Sequence, residues 1–176
     1  MNIVNVTVTG AAGQIAYALL PRLGELLTHP DMLISLRLLD IEPCMQTLQG
    51  VVMELEDCAL PFIHNIIYTA DPKVAFENTH YAVLIGARPR SKGMQRADLL
   101  QVNAAIFKEQ GKVINDVASR DCMTLVVGNP CNTNAYIAMM SAPDMPNDQF
   151  FAMSMLDQHR ATFQMAHALS VPLSSV

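Results

Sequence analysis

Apolar positions along the chain fall into short continuous runs, and the runs recur at intervals filled by amphipathic stretches. Ile3 to Val8, rich in Val and Ile and stopped by Thr9-Gly10, reads as a strand buried on both faces. A helical segment follows from about Gly13. Next come an apolar run from Ile34 to Leu39, a helical stretch from about Cys44 to Ala59, a short strand around Ile66 to Tyr68 and another from Tyr81 to Ile85. Beyond the loop GARPRSKGMQR lie a helix from Ala97 to about Ala118, a strand from Thr124 to Val127, the turn GNPCN, a helix through Met140 and a last strand near Phe150 to Met153. Strands alternating with helices predict right-handed crossovers and an α/β fold, a doubly wound parallel sheet.

No repeat or low-complexity tract interrupts this order, and SAPDMPND, from Ser141 to Asp148, reads as an exposed connection. The sheet domain is therefore expected over residues 1–150. The remainder, residues 151–176, carries Phe163, Ala166 and Leu169 at helical spacing but little of its own to pack against. It reads as the first helix of a second domain that is truncated here.

At 176 residues and 51% apolar the chain can bury a real core, which excludes a disordered tail or a fibre. A net charge of −5 argues against nucleic acid or an anionic membrane as the main partner, since both reward clustered Lys and Arg. No charge-free apolar stretch approaches the roughly 20 residues of a membrane helix, and MNIVNVTVTG lacks the basic start and long apolar run of a signal peptide. A cytoplasmic location is the expectation. Cys44, Cys58, Cys122 and Cys131 form no CxxC pair, so they read as free, buried thiols. His29, His64, His80, His159 and His167 form no ligand pattern either, and no metal site is implied.

Chemistry enters with TGAAGQIA, directly after the first strand. Gly10 permits a tight turn, Gly13 lets backbone approach a pyrophosphate, and small Ala16 allows the helix to pack close to the strand. Amide donors and the helix dipole would face the phosphates. An acidic residue is expected at the end of the second strand, and Asp40 stands there, placed to accept hydrogen bonds from both hydroxyls of a ribose. A 2′-phosphate would meet like charge at Asp40, so NAD is favoured over NADP. The interval from Gly13 to Asp40 exceeds the roughly 20 residues usual for the motif and implies a longer first connection.

Between the fourth strand and its helix, RPRSKGMQRADLL crowds Arg88, Arg90, Lys92 and Arg96 around Gly93. Loops at the carboxyl ends of such strands bind ligands, and the planar fork of Arg pairs bidentately with carboxylate. A solvated basic loop is the plain alternative, but the cluster stands at the functional end of the sheet in a net acidic protein. Further on, Asn129 follows the fifth strand, and Asp157 and Arg160 stand three apart on one helix face, as either site residues or a surface ion pair. Three Arg, one Asn and one Asp suit a small dicarboxylic hydroxy acid, whose charges need pairing and whose carbonyl needs polarising.

Taken together, VTGAAGQIA, LLDIEP, VVMELEDCALP, the arginine loop, VVGNPCNTN and MLDQHRA resemble the malate dehydrogenases of the cytosolic type, within the lactate/malate dehydrogenase superfamily. The segments occur in family order and cover about the first half of a family member. The resemblance implies a Rossmann NAD-binding domain over 1–150 followed by the start of the substrate domain, and a cofactor NAD. It implies that Gly10, Ala11, Ala12, Gly13, Gln14, Ile15, Ala16 and Asp40 bind NAD, with Asn103, Gln110, Val127, Gly128 and Asn129 lining it. By the same comparison Arg90, Arg96, Asn129 and Arg160 bind the dicarboxylate, Arg90 contacting the carboxylate that distinguishes malate from lactate, and Asp157 orients the catalytic histidine. The implied reaction is the reversible oxidation of (S)-malate to oxaloacetate, a step of the tricarboxylic acid cycle.

That histidine follows the LDxxRA helix by more than twenty residues in the family, and this chain stops at Val176 before such a segment. His159 and His167 match ordinary helix positions instead. The expectation is a chain that binds nucleotide and does not turn over alone. Its rivals are a catalytically inactive NAD-binding subunit and another 2-hydroxy acid dehydrogenase such as lactate dehydrogenase, which Arg90 opposes because it would face a methyl group unpaired. Met-rich helices around Met45 to Met53 and Met153 to Met165 present apolar faces that either cover the sheet or want covering. The first lies at a dimer interface in the family, so a homodimer is the expected assembly of the complete protein.

Overall fold

Six parallel strands in the order β3-β2-β1-β4-β5-β6 make up the sheet of the computed structural model, which describes residues 2–26, 31–89, 93 and 95–176, with backbone alone for 24–26 and 96. β1 (Asn2–Thr9) lies between β2 (Met32–Leu39) and β4 (Tyr81–Leu84), in register from Asn2 beside Met32 to Thr9 beside Leu39 and from Val6 beside Tyr81 to Thr9 beside Leu84. β3 (Ile63–Thr69) flanks β2 with an irregularity between Ile34 and Ser35. β5 (Met123–Val126) and β6 (Phe150–Ala152) complete the other side, so the sheet runs two residues past the expected boundary at 150.

Alternation along the strands feeds two separate cores, one on each face. Val4, Val6 and Val8 of β1 join Ile34, Leu36 and Leu38 of β2 in the first core, covered by α1 (Gln14–Leu19) and by Leu48, Val51, Val52 and Leu55 of α2 (Met45–Asp57). Ala82 and Leu84 of β4 point the other way. They pack with Phe76 of α3 (Pro72–Phe76), Phe107 and Ile114 of α4 (Arg96–Val117) and Ala135 and Ala138 of α5 (Cys131–Met140). Polar Thr7 is buried on this second face, where its hydroxyl donates to Ala75 O at 2.7 Å and lies 2.5 Å from Thr79 Oγ1. α4 and α5 approach closely at Gly111, where a Cβ would overlap the backbone of Ala138.

Two elements depart from the sequence reading for identifiable reasons. The first helix ends as α-helix at Leu19 and continues as 3₁₀ turns over Leu20–Leu26, because Pro21 has no amide to donate to the preceding turn. α3 has no counterpart in the periodic pattern, yet Asp71-Pro72 announces it: the Asp71 carboxylate accepts from Lys73 N at 2.8 Å as a cap, and Pro72 suits the first turn.

α6 (Met155–Leu169) leaves the sheet and buries only Ala166. Met155, Leu156, Phe163, Met165 and Leu169 are more than half exposed, so the apolar face of this helix is uncovered, whereas most of the apolar face of α2 covers the sheet and Met53 stays exposed. Among the described residues no helix is long and apolar enough to cross a membrane, and no group of three or more His, Cys, Asp or Glu stands together to hold a metal.

The expectation of four buried thiols holds for Cys122 and Cys131 only, since Cys44 is half-buried and Cys58 exposed. α2 ends at Asp57, which puts Cys58 on the surface of the turn that follows. Burial pushes the Cys122 thiol up to about 11 against a weaker opposing hydrogen bond from Thr124. Ellman's reagent at pH 8 is therefore expected to titrate Cys58 rapidly and Cys122 and Cys131 only on unfolding. Four fast thiols in the native protein would contradict this packing.

Candidate functional site

All strands run the same way, but the order in which they are added to the sheet reverses between β1 and β4, whose outward connections leave toward opposite sides, and the crevice at their carboxyl ends is where ligands bind in such folds. Two glycines line it. Gly10 has φ +65°, in the left-handed region, and a Cβ there would stand 2.6 Å from Gly86 Cα. A Cβ on Gly86 would in turn lie 2.9 Å from Gly10 N. Both strand ends therefore meet backbone to backbone, tied by Gly86 N, which donates to Thr9 O at 3.1 Å and to Thr9 Oγ1 at 3.2 Å. Sequence reasoning finds Gly10 and misses Gly86 and Thr9, because their pairing spans more than seventy residues.

The glycine loop is shaped by its own backbone. Gly13 N donates to Gly10 O at 2.9 Å, Ala11 N to Leu39 O at 3.2 Å, and Ala12 N to Asp40 Oδ2 at 2.9 Å. Buried Ala11 and Ala16 let loop and helix settle onto the strands, while Ile15 stands exposed. The N-cap Gly13 has no side chain to cap α1, and among the described residues the first-turn amides of Gln14, Ile15 and Ala16 have no partner, as is general for the first turn of a helix.

Asp40 stands at the end of β2 across from that loop, half-buried, its second oxygen accepting from Ile41 N at 2.8 Å. An ionised carboxylate offers about four acceptor sites. Two are used by backbone, which leaves capacity for a pair of hydroxyls. Cys44, just beyond, has its thiol pushed up, first by desolvation and then by the charge of Asp40, so it stays neutral at the edge of the site.

On the other side of the switch point, the turn after β5 is held from three directions. Val127 N and Gly128 N both donate to Leu84 O, at 2.9 and 3.1 Å, tying the turn to β4. Gly128 has no room for a side chain, since a Cβ would lie 2.7 Å from Phe107 Cζ and 3.0 Å from Ala87 Cβ. Asn134 Nδ2 donates to Gly128 O at 2.8 Å, and Asn103 Nδ2 to Asn129 O at 3.3 Å. Asn129 itself is exposed.

Asn103, which the resemblance assigns to the cofactor, has no exposed surface, and its carboxamide is spent on backbone: besides Asn129 O, it accepts from Arg88 N at 2.8 Å and donates to Arg88 O at 3.4 Å. Gln110 lies seven residues farther along α4, about 10 Å down the helix axis. It is buried, and its Oε1 has no hydrogen-bond partner among the described residues.

Of the predicted anion-binding residues, Arg90 and Lys92 lie outside the described residues, and of Arg96 the backbone alone is described, as the first residue of α4. α4 is started by a capping box in which Asp98 accepts from Gln95 N at 3.3 Å. α6 begins at the same end of the sheet, since Met153 N donates to Val126 O at 2.9 Å and Cys131 Sγ to Met153 O at 3.3 Å. Asp157 and Arg160 are exposed on it and form no ion pair with each other.

Comparison with known proteins agrees with this geometry. The family model described as the NAD-binding domain of lactate/malate dehydrogenase matches residues 4–151. Malate dehydrogenase from Naegleria fowleri is 43% identical with a TM-score of 0.92, over 99% of this chain and 54% of its own. An apo point variant of lactate dehydrogenase from Trichomonas vaginalis is 41% identical with a TM-score of 0.92, over 99% of this chain and 52% of its own. The Trichomonas vaginalis lactate dehydrogenase in complex with NADH and oxamate, 41% identical, aligns over 97% of this chain and 52% of its own at a TM-score of 0.88. The chain spans about half the length of these solved relatives.

Proposed function

The chain belongs to the lactate/malate dehydrogenase family, with residues 4–151 forming its NAD-binding domain, and from that premise we propose that it serves an oxidoreductase that interconverts (S)-malate and oxaloacetate. The observation that carries the cofactor side is the joined pair Gly10–Gly86 with Asp40 opposite the loop. The residues present fit NAD: the first-turn amides of α1 would take the pyrophosphate, and the acceptor capacity that Asp40 retains would take the ribose hydroxyls. When bound, NAD supplies the hydride acceptor.

The protein's own residues hold the substrate. Arg90, Arg96 and Arg160 pair its two carboxylates, Asn129 donates to the oxygen at the reacting carbon, and Asp157 orients the group that takes the hydroxyl proton. Relatives of both names lie at similar identity, so the choice between malate and lactate rests on Arg90, whose guanidinium needs a second carboxylate to pair with. A general base contributes about 10²- to 10⁴-fold in rate, and none of this chain's histidines is assigned to that role. Met53 marks α2 as the surface that a homodimer of the complete, cytoplasmic protein would cover, and the exposed face of α6 is where the rest of a substrate domain would pack.

The test is a titration of the NADH-loaded chain with hydroxymalonate and with oxamate, read by nicotinamide fluorescence, beside an assay of malate-dependent NADH formation at 340 nm. Tighter binding of the dicarboxylate, by about tenfold or more for one additional charged pair, is expected, with no turnover by the chain alone. Equal or tighter binding of oxamate would contradict the malate reading.

A further inference from the structure

Asn129 is the proposed donor to the substrate, and its side chain makes no hydrogen bond among the described residues. What is fixed is its backbone, and the fixing is done by two buried asparagines from different helices. Asn103 comes from α4 and Asn134 from α5, and both have no exposed surface. Asn134 Nδ2 donates to Gly128 O at 2.8 Å and Asn103 Nδ2 to Asn129 O at 3.3 Å, so two consecutive carbonyls of one turn are each held by a separate carboxamide. Asn103 also brackets the backbone of Arg88, accepting from its N–H at 2.8 Å and donating to its carbonyl at 3.4 Å. One side chain therefore links the turn after β5 to the first residues after β4.

The energetic logic favours positioning over bulk stability. A buried carboxamide is costly unless its hydrogen-bonding groups are satisfied. Asn134 is only partly satisfied, since its Oδ1 has no partner among the described residues. An apolar residue would avoid that cost at a site whose only purpose was packing. What asparagine adds is direction: a donor aimed at a carbonyl sets the orientation of the peptide that follows.

We propose that Asn103 and Asn134 are positioning residues that orient Gly128 and Asn129 for the nicotinamide end of the bound dinucleotide and for the substrate, without touching either. This rests on the reading of the crevice as an NAD site. Asp40 holds the adenosine ribose on the β2 side of the switch point, so the nicotinamide half extends toward β4 and β5, where the brace lies.

The consequence is a ligand-specific defect that separates positioning from general destabilisation. ADP-ribose shares the adenosine and pyrophosphate contacts but has no nicotinamide. Affinities of the purified chain for NADH, by fluorescence, and for ADP-ribose, by calorimetry, are to be compared in the wild type and in Asn103→Ser and Asn134→Ser, with circular dichroism verifying the fold. The wild type is expected to bind NADH more tightly than ADP-ribose. Each variant is expected to lose about tenfold in NADH affinity, one net hydrogen bond's worth, and to keep its ADP-ribose affinity within about twofold.

Parallel loss of both ligands, or no loss of either, would overturn the proposal. Failure of the wild type to bind either ligand would defeat the NAD reading itself, and the inference with it. Should both variants unfold, the wild type decides the matter through its ¹⁵N-labelled asparagine side-chain amides. Slow solvent exchange at Asn103 and Asn134, with shifts on adding NADH that ADP-ribose does not cause, supports the brace. Fast exchange, or identical shifts with both ligands, overturns it.

Discussion

Gly10→Ala is expected to unfold the chain about 10 °C below the wild type and to weaken NADH binding by more than tenfold. The backbone of Gly10 has φ +65°, which costs an L-residue about 1–2 kcal/mol. The new methyl would also stand 2.6 Å from Gly86 Cα and 2.8 Å from Gly86 N, both backbone atoms of a central strand's end that cannot swing aside. Relieving such an overlap costs about 1–3 kcal/mol more. Parting β1 from β4 would widen the crevice where the phosphate loop turns, so binding falls together with stability. Gly50→Ala is the matched control. Nothing lies within 4 Å of its Cβ position in α2, and alanine there is expected to raise stability by about 0.5–1 kcal/mol. Thermal melts of both variants check the pair, and similar melting temperatures would show that Gly10 and Gly86 are not as tightly joined as described.

Asp40→Ala removes acceptors for the ribose hydroxyls and also the anchor of Ala12 N and Ile41 N. Hydrogen bonds to a charged group are worth about 1.5–3 kcal/mol, so NADH affinity is expected to fall about ten- to a hundredfold. NADPH should behave oppositely in relative terms, because its 2′-phosphate no longer meets the carboxylate. Parallel titrations with the two nucleotides decide this: the ratio of their affinities moves toward unity if Asp40 reads the ribose, and stays fixed if Asp40 only holds the loop.

The site is legible in the sequence to the extent that its signals are local. Gly10 and Gly13 follow an unbroken apolar run, and Asp40 ends the next one, so strand, turn and carboxylate are read from neighbours in the chain. Gly86 is not legible. Its requirement for a bare Cα is set by Gly10, seventy-six positions away, and only the β1–β4 pairing reveals it. Asn103 illustrates the same limit from the other direction, since its position within an amphipathic helix says nothing of the backbone groups of Arg88 and Asn129 that its carboxamide meets. The exposure of Cys58 depends on where α2 stops, which periodicity places only to within a residue or two. α3, by contrast, is announced by Asp71-Pro72 and escapes a reading by periodicity because five residues are too few to show a period.

Saturable binding of NADH to the purified chain, followed by nicotinamide fluorescence with NADPH titrated in parallel, tests the central claim most directly. A single saturable site at which NADPH binds at least about tenfold more weakly is the predicted result. Absence of saturation, or equal affinity for the two nucleotides, would contradict an NAD site built on Gly10, Gly86 and Asp40.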